Sequence, residues 1–260
     1  MVSLSTECFS IKRQEMLDRN SFLIKYSSKY KEILHRLILE NMKKESLCSI
    51  LDIGCRWGDD IERVSKINAD KKVVGIDLEI APLRVALDRL RDVPRVYLLN
   101  ARSEYLPFKQ NIFDIVYSSE VIEHIEKPLR FIQEIYRVLK INGVFIITTP
   151  SRYNYVSLVG KLIPLKFRKY LRRYVYYINP GKERRVHIRE YTWKELKIMF
   201  EKMGLIVERV ESGVLRVPIW PLFERFPFLV FIWDVLDRFV DKLPGGIYLK
   251  SNFIVAGRKT

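Results

Sequence analysis

Cysteine is scarce in this chain and long apolar runs are missing, and both absences narrow what it can be. Of 260 residues only Cys8, Cys48 and Cys55 are cysteines, an odd number without Cys-x-x-Cys spacing. Neither a disulfide framework nor a zinc site is suggested, no metal is expected, and a reducing compartment is the simplest setting. The first ten residues lack a basic segment followed by an apolar core, so no secretory leader is expected. No apolar run reaches the roughly 20 residues of a membrane span. The expected location is cytoplasmic, with peripheral contact at a membrane as an open alternative. Internal repeats and low-complexity stretches are also missing, and the chain is 48% hydrophobic and 30% charged. That composition describes a folded protein long enough to bury a full core.

Acidic residues are scarce in one region. Residues 1–150 hold 24 Lys and Arg against 21 Asp and Glu, whereas residues 151–260 hold 22 against 10. Between 161 and 189 ten basic residues face only Glu183. A surface of that sign attracts anions, whether phosphates, lipid head groups or nucleic acid.

What is present is an apolar run ending in a glycine turn, Ser49-Ile50-Leu51-Asp52-Ile53-Gly54-Cys55-Arg56-Trp57-Gly58. Nineteen positions later comes Asp77, at the end of Val73-Val74-Gly75-Ile76-Asp77. Strand, glycine turn, helix, then a second strand closed by a carboxylate is the layout that clamps an adenosine-bearing cofactor. A dinucleotide would need G-x-G-x-x-G so that its pyrophosphate can approach the backbone. Here the second and third glycine positions fall on Arg56 and Asp59, which disfavours NAD. A cofactor with an amino-acid tail and a sulfonium in place of phosphates tolerates this loop, and S-adenosylmethionine fits. Gly54 and Gly58 would let the chain turn around the tail, and Asp77 would accept hydrogen bonds from the ribose hydroxyls.

The rest of the chain supports an α/β fold. Apolar residues between Ser10 and Lys44, among them Met16, Tyr26, Tyr30, Leu34 and Ile38, recur every three or four positions, as amphipathic helices require. Strands are expected at 49–53, 73–77, 96–100, 113–118 and 144–148, alternating with helices at 59–66, 82–90 and 128–139. This pattern implies a Rossmann-like, doubly wound, mostly parallel sheet covered on both faces. Past Pro150 the alternation breaks. Thr192, with Glu195 three residues on, opens a further helix through a capping box. Strands at 205–210 and 253–256 bring the total to seven. The expected organisation is an N-terminal helical cover (1–47), a cofactor-binding core (48–150), a basic and aromatic lid insertion (151–190) and the rest of the same catalytic domain (191–260). That last part contains an aromatic-rich segment at 217–246.

These residues resemble the class I S-adenosylmethionine-dependent methyltransferases, especially the type 11 group. The likeness rests on Leu51 to Cys55, Gly75-Ile76-Asp77, Leu106-Pro107-Phe108 with Phe113-Asp114-Ile115-Val116, and Val121-Ile122-Glu123-His124-Ile125. It continues through Glu134 to Lys140 and Gly143. It implies an antiparallel last strand and a set of cofactor contacts. Asp52 would orient the methionine amine or hold the turn, Cys55 and Arg56 would complete the loop, and Leu78 would pack on adenine. Arg102 and Ser103 would approach the adenine, and Ser119 and Glu120 would meet the methionine amine. Two positions depart from the family pattern, Arg56 standing for a glycine and Arg102 for an acid.

Methyl transfer needs alignment and the handling of one proton. Glu123 and His124 lie near where the methyl would point, and His124 is a candidate base, the alternative being that it orders the loop. His187 is the second candidate, with Arg189 and Tyr191 as acceptor-side residues. The insertion interleaves Tyr170, Tyr174, Tyr176 and Tyr177 with Lys and Arg, and Trp220, Phe223, Phe231 and Phe239 follow downstream. The expected function is O-directed methylation of a small, apolar or lipid-linked, anionic acceptor. Two alternatives stay open: an RNA methyltransferase using the basic insertion, and a non-catalytic binding protein on a methyltransferase scaffold, suggested by Arg56 and Arg102. Oligomeric state is not legible.

Overall fold

A computed structural model describes residues 21–42, 48–67, 71–153, 187–215, 226 and 228–260. The tyrosines and cations of the insertion between 154 and 186, the helical pattern before Ser21, and Trp220 and Phe223 lie outside the described residues. The elements are α1 (Ser21–Asn41), β1 (Ser49–Ile53), α2 (Asp59–Ile67), β2 (Lys72–Asp77), α3 (Ile80–Arg89), β3 (Val96–Asn100) and β4 (Phe113–Ser119). A 3-10 turn (Ile122–His124) leads to α4 (Pro128–Val138), β5 (Leu139–Pro150), α5 (Trp193–Lys202) and β6 (Leu205–Ser212). The chain ends with α6 (Phe228–Lys242), a second 3-10 turn (Gly246–Leu249) and β7 (Asn252–Lys259).

The seven strands form one sheet in the order β3-β2-β1-β4-β5-β7-β6. All neighbours are parallel except β7, which runs antiparallel to both β5 and β6. The central strands are nearly continuous apolar runs because helices cover both faces. Alternation along each strand divides the core. Leu51, Ile53, Val116, Phe145 and Ile147 face α4 and α5, whereas Ile50, Ile115, Tyr117 and Ile146 face α1 and α2.

Local chemistry sets the helix ends. Asp59, Asp60 and Glu62 in the first turn of α2 complement its dipole, and Pro128 begins α4, where a missing N–H costs nothing. Thr192 caps α5 in a full capping box with Glu195. The N-terminal cover is a single helix in the described residues. Leu34, Leu37 and Ile38 on its inner face are buried against the sheet.

The aromatic segment at 228–242 departs from ordinary core packing. Helix α6 is anchored by a polar residue, Asp237, which is fully buried and accepts from Lys250 Nζ at 2.6 Å and from the Leu215 N–H at 2.6 Å, and pairs with Lys29. Phe228, Phe231, Ile232 and Phe239 point outward, Phe231 with 72% of its surface exposed. Among the described residues no helix is long and apolar enough to cross a membrane.

Phe200 of α5 stacks on Phe145 of β5, with ring centroids 4.5 Å apart and planes within 8°, and both rings are fully buried. Replacing Phe200 by Ala is expected to cost about 3–5 kcal/mol of unfolding free energy in urea titration, from lost transfer energy plus an uncollapsed cavity.

Candidate active site

Strand β1 lies between β2 and β4, where the strand order turns back, and open parallel sheets take ligands at that point. The loop after β1 is held by two glycines in the left-handed region, Gly54 at φ 85° and Gly58 at φ 75°. A Cβ on Gly54 would lie 2.3 Å from Val121 Cγ2, and one on Gly58 would lie 2.7 Å from Leu90 Cδ1. Space and backbone conformation both exclude a side chain there.

The loop is stitched to the end of β2. Gly54 and Cys55 donate their N–H groups to the Ile76 carbonyl at 2.8 and 2.9 Å. The Arg56 N–H donates to Asp77 Oδ2 and the Glu79 N–H to Oδ1, each at 2.8 Å. A carboxylate offers about four lone-pair sites, so Asp77 keeps acceptor capacity after these bonds. Leu78 and Ile80 beside it are 62% and 54% exposed, an apolar shelf next to a polar grip. Asn100, which the sequence reading passed over, steadies this corner by donating to the Asp77 and Leu78 carbonyls at 2.8 and 2.9 Å. Its signal was its place at the end of the third strand.

Arg56 takes φ 45°, in the left-handed region, at the position where the family carries glycine. Its Nε is buried with no hydrogen-bond partner among the described residues, an orphaned donor on the loop. Burial pushes the Asp52 carboxyl well above its usual range, and neighbouring Asp60 adds to the effect. Burial also pushes the Cys55 thiol up, with Asp52 and Asp77 adding to it. Cys55 is thereby a packing group against Gly75, whose Cβ would meet its Sγ at 2.9 Å.

Helix α1 clamps the start of α2. Asp60 accepts from Lys31 Nζ at 2.9 Å and lies 3.0 Å from His35 Nε2. Burial alone would raise the Asp60 carboxyl, but His35 and Lys31 overcome it and bring its pKa down to about 2. Tyr30, just before Lys31, has its hydroxyl held protonated by burial and by Glu120. Ser119 accepts from Thr148 Oγ1 at 3.2 Å. Glu120 sits at φ 57°, its N–H given to the Thr148 carbonyl at 3.1 Å.

After β3, Arg102 is exposed and pairs with Glu104 at 3.8 Å, while the Ser103 hydroxyl donates to Glu104 at 3.1 Å. The acid absent at 102 thus has a neighbour two residues on, unnoticed in the sequence because the family pattern places it elsewhere. Glu134 and Arg137 brace this loop from α4. Glu134 accepts the Leu106 N–H at 2.7 Å, and Arg137 donates to the Leu106 and Phe108 carbonyls at 2.9 and 2.6 Å.

The two candidate histidines come together. Backbone N–H groups of Ile188 and Arg189 donate to the Glu123 carbonyl at 2.9 and 3.2 Å, which brings His187 beside His124 with ring centroids 5.1 Å apart. Glu123 has no exposed surface and accepts from Thr149 Oγ1 at 3.0 Å. Burial lifts its pKa to about 7. Tyr191 is buried alongside, its hydroxyl without a partner among the described residues, and the Arg189 guanidinium lies 5.2 Å from its ring centroid. An open hollow of about 560 Å³ adjoins this corner, lined by Lys127, Leu129, Arg189, Ile198 and Met199 among others.

A mostly parallel seven-stranded sheet with an antiparallel β7, a glycine-turned loop after β1 and a carboxylate at the end of β2 defines the Rossmann-like class I methyltransferase architecture. Residues 51–147 match the methyltransferase domain family, and this segment is a class I S-adenosylmethionine-dependent methyltransferase domain. The chain is 30% identical over 159 residues to a probable S-adenosylmethionine-dependent methyltransferase of Mycolicibacterium smegmatis, covering 61% of this chain but only 52% of that protein. It is 26% identical to a demethylmenaquinone methyltransferase of Staphylococcus aureus, over 70% of this chain and 77% of that one. A methyltransferase structure from Aquifex aeolicus shares the fold, with a TM-score of 0.53 at 16% identity over 87% of this chain and 89% of that one.

Gly54→Ala is expected to lower stability by about 1–3 kcal/mol and to abolish cofactor binding, read by thermal melting and calorimetry. Acid stability gives a second check. The folded pKa of Asp60, about 2, lies below the ordinary value of about 3.9. Its contribution of about 2 kcal/mol is therefore present above about pH 4 and lost as the pH falls toward 2. In Asp60→Asn, urea melts between those pH values should lose that slope.

Proposed function

We propose that the protein transfers the S-adenosylmethionine methyl group to an oxygen of a small, apolar and anionic acceptor presented at a membrane surface. The single observation that carries this reading is the hollow beside the Glu123 and His187 corner, whose lining joins apolar Leu129, Ile198 and Met199 to Lys127, Arg189 and one carboxylate, Glu195, that Arg189 pairs with at 3.4 Å. An apolar wall selects the body of such an acceptor by burial, and Lys127, with the outer side of the Glu195-paired Arg189, selects its charge.

The residues at the strand ends divide the work. Asp77 accepts from the ribose hydroxyls with the lone pairs its two backbone bonds leave, and Leu78 supports the adenine face. Ser103 and the nearby Glu104 take the adenine edge, with Arg102 on the outside. The Gly54 to Gly58 turn surrounds the amino-acid tail, and the orphaned Nε of Arg56 suits its carboxylate, so Arg56 serves as a ligand for the tail. Asp52, Ser119 and Glu120 lie nearest its amine. When bound, the cofactor supplies an electrophilic methyl on a positive sulfur. His124 and His187, the latter beside Arg189, face the acceptor hydroxyl, the place where its proton has to be handled.

Presentation at a membrane rests on α6. Its outward Phe228, Phe231, Ile232 and Phe239 form an apolar face of the kind that enters a lipid interface, and the ten basic residues between 161 and 189 suit anionic head groups. The demethylmenaquinone methyltransferase likeness is in keeping with an apolar acceptor.

Calorimetry with S-adenosylmethionine should show binding that Asp77→Asn weakens about tenfold or more, since one acceptor oxygen becomes a donor. Silence from the unaltered protein at about 1 mM cofactor, the weak end of specific affinity, would leave a non-catalytic scaffold as the answer. A labelled-methyl assay should then incorporate label into a lipid extract in preference to total RNA. Preferential labelling of RNA overturns the acceptor class.

A further inference from the structure

We propose that Glu123, His124 and His187 form a binding site for one divalent transition-metal ion. One ligand atom from each of the three side chains lies within 4.8 Å of the other two. Two of these residues follow β4 and the third precedes α5. The Ile188 and Arg189 N–H bonds to the Glu123 carbonyl hold the two segments together, so the cluster is built by the fold rather than by a local sequence motif.

Glu123 supplies an independent sign of a missing ligand. Its side chain has no exposed surface, Oε2 is fixed by Thr149 Oγ1 at 3.0 Å, and Oε1 has no hydrogen-bond partner among the described residues. A buried carboxylate oxygen without a donor is costly, and native structures rarely keep one without a reason. A cation between the two imidazoles and this oxygen removes the cost.

The donor set selects the metal class. Two imidazoles and one carboxylate suit Zn²⁺, Co²⁺, Mn²⁺ or Fe²⁺, whereas Mg²⁺ and Ca²⁺ prefer oxygen ligands throughout. Outer contacts fit the same role. Glu190 Oε1 lies 3.2 Å from His187 Nδ1, the kind of carboxylate contact that orients a ligating ring through its other nitrogen, which assigns Nε2 of His187 to the ion. Three protein ligands leave coordination positions open. In a part of the inference that rests on the methyl-transfer reading, one of those positions holds the acceptor's hydroxyl oxygen and lowers its pKa, so that the proton passes to solvent water in the open hollow before the oxygen takes the methyl group. The histidines then act through the ion rather than as bases.

The test is a cobalt titration of the tag-free, full-length protein after dialysis against chelator, followed by visible absorption and reversed by added Zn²⁺. One equivalent of Co²⁺ is expected to bind, with the d–d bands of a low-coordinate site. His124→Ala and His187→Ala should each weaken binding at least tenfold, while His35→Gln, at the remaining histidine, should leave it unchanged. Glu123→Gln alters a buried group, so the exposed His187 is the decisive substitution, and retained S-adenosylmethionine binding serves as its check on folding. No cobalt bands in the unaltered protein, or the same titration in the double variant His124→Ala/His187→Ala, overturns the proposal. Cofactor calorimetry on metal-free protein separates the two readings: cobalt uptake without cofactor binding sinks methyl transfer alone, and cofactor binding without cobalt uptake sinks the metal site alone.

Discussion

The carboxylate of Asp77 and the two backbone amides it accepts are the constraint around which the crevice is built. The Arg56 N–H comes from the loop after β1 and the Glu79 N–H from the start of α3, each at 2.8 Å. Together with the Gly54 and Cys55 bonds to the Ile76 carbonyl, this ties two loops to one strand end. Charge-assisted bonds of this kind are stronger than neutral ones, and both loops lie where the sheet order reverses. Asp77 therefore shapes the site before any ligand enters it. The glycine turn complies because Gly54 and Gly58 take backbone angles that other residues resist.

Several residues that carry the family likeness turn out to be braces. Glu134 and Arg137, ion-paired at 2.7 Å, hold the Leu106 to Phe108 backbone, which fixes the loop that also carries Arg102, Ser103 and Glu104. Asp114 accepts the first N–H of β1, from Ser49, at 2.9 Å and the Lys140 ammonium at 2.7 Å, closing the opposite end of the sheet. Backbone groups at strand and loop ends must be satisfied, and a motif can mark a structural need as readily as a chemical one.

The corner around Glu123 is organised differently. No single motif builds it: the 3-10 turn after β4, the end of β5 and the chain entering α5 each contribute, and backbone bonds to Glu123 join them. Helix α6 adds a reversal of ordinary burial, with Asp237 inside among Lys250, Lys29 and the Leu215 amide while phenylalanines face out. A buried charge that is fully paired tolerates this arrangement. The apolar face it leaves outside gathers Phe228, Phe231, Ile232 and Phe239 on one helix.

Strand positions, the direction of alternation, the capping box at Thr192 and the pairing of a glycine turn with Asp77 were all legible in the sequence, because each depends on residues close together in the chain. Period and turn chemistry are local properties, and parallel strands declare themselves as apolar runs. What the tertiary structure alone decided lies in long-range contacts. Lys31 and His35 grip Asp60, and Glu104 pairs with Arg102. His187 comes to rest beside His124 and Glu123, and the phenylalanines of α6, which as a string of letters resemble core, face outward. A sequence specifies which residues prefer burial or a turn. Which distant side chains share a pocket depends on how the crossovers return over the sheet, and that is set only when the whole core closes.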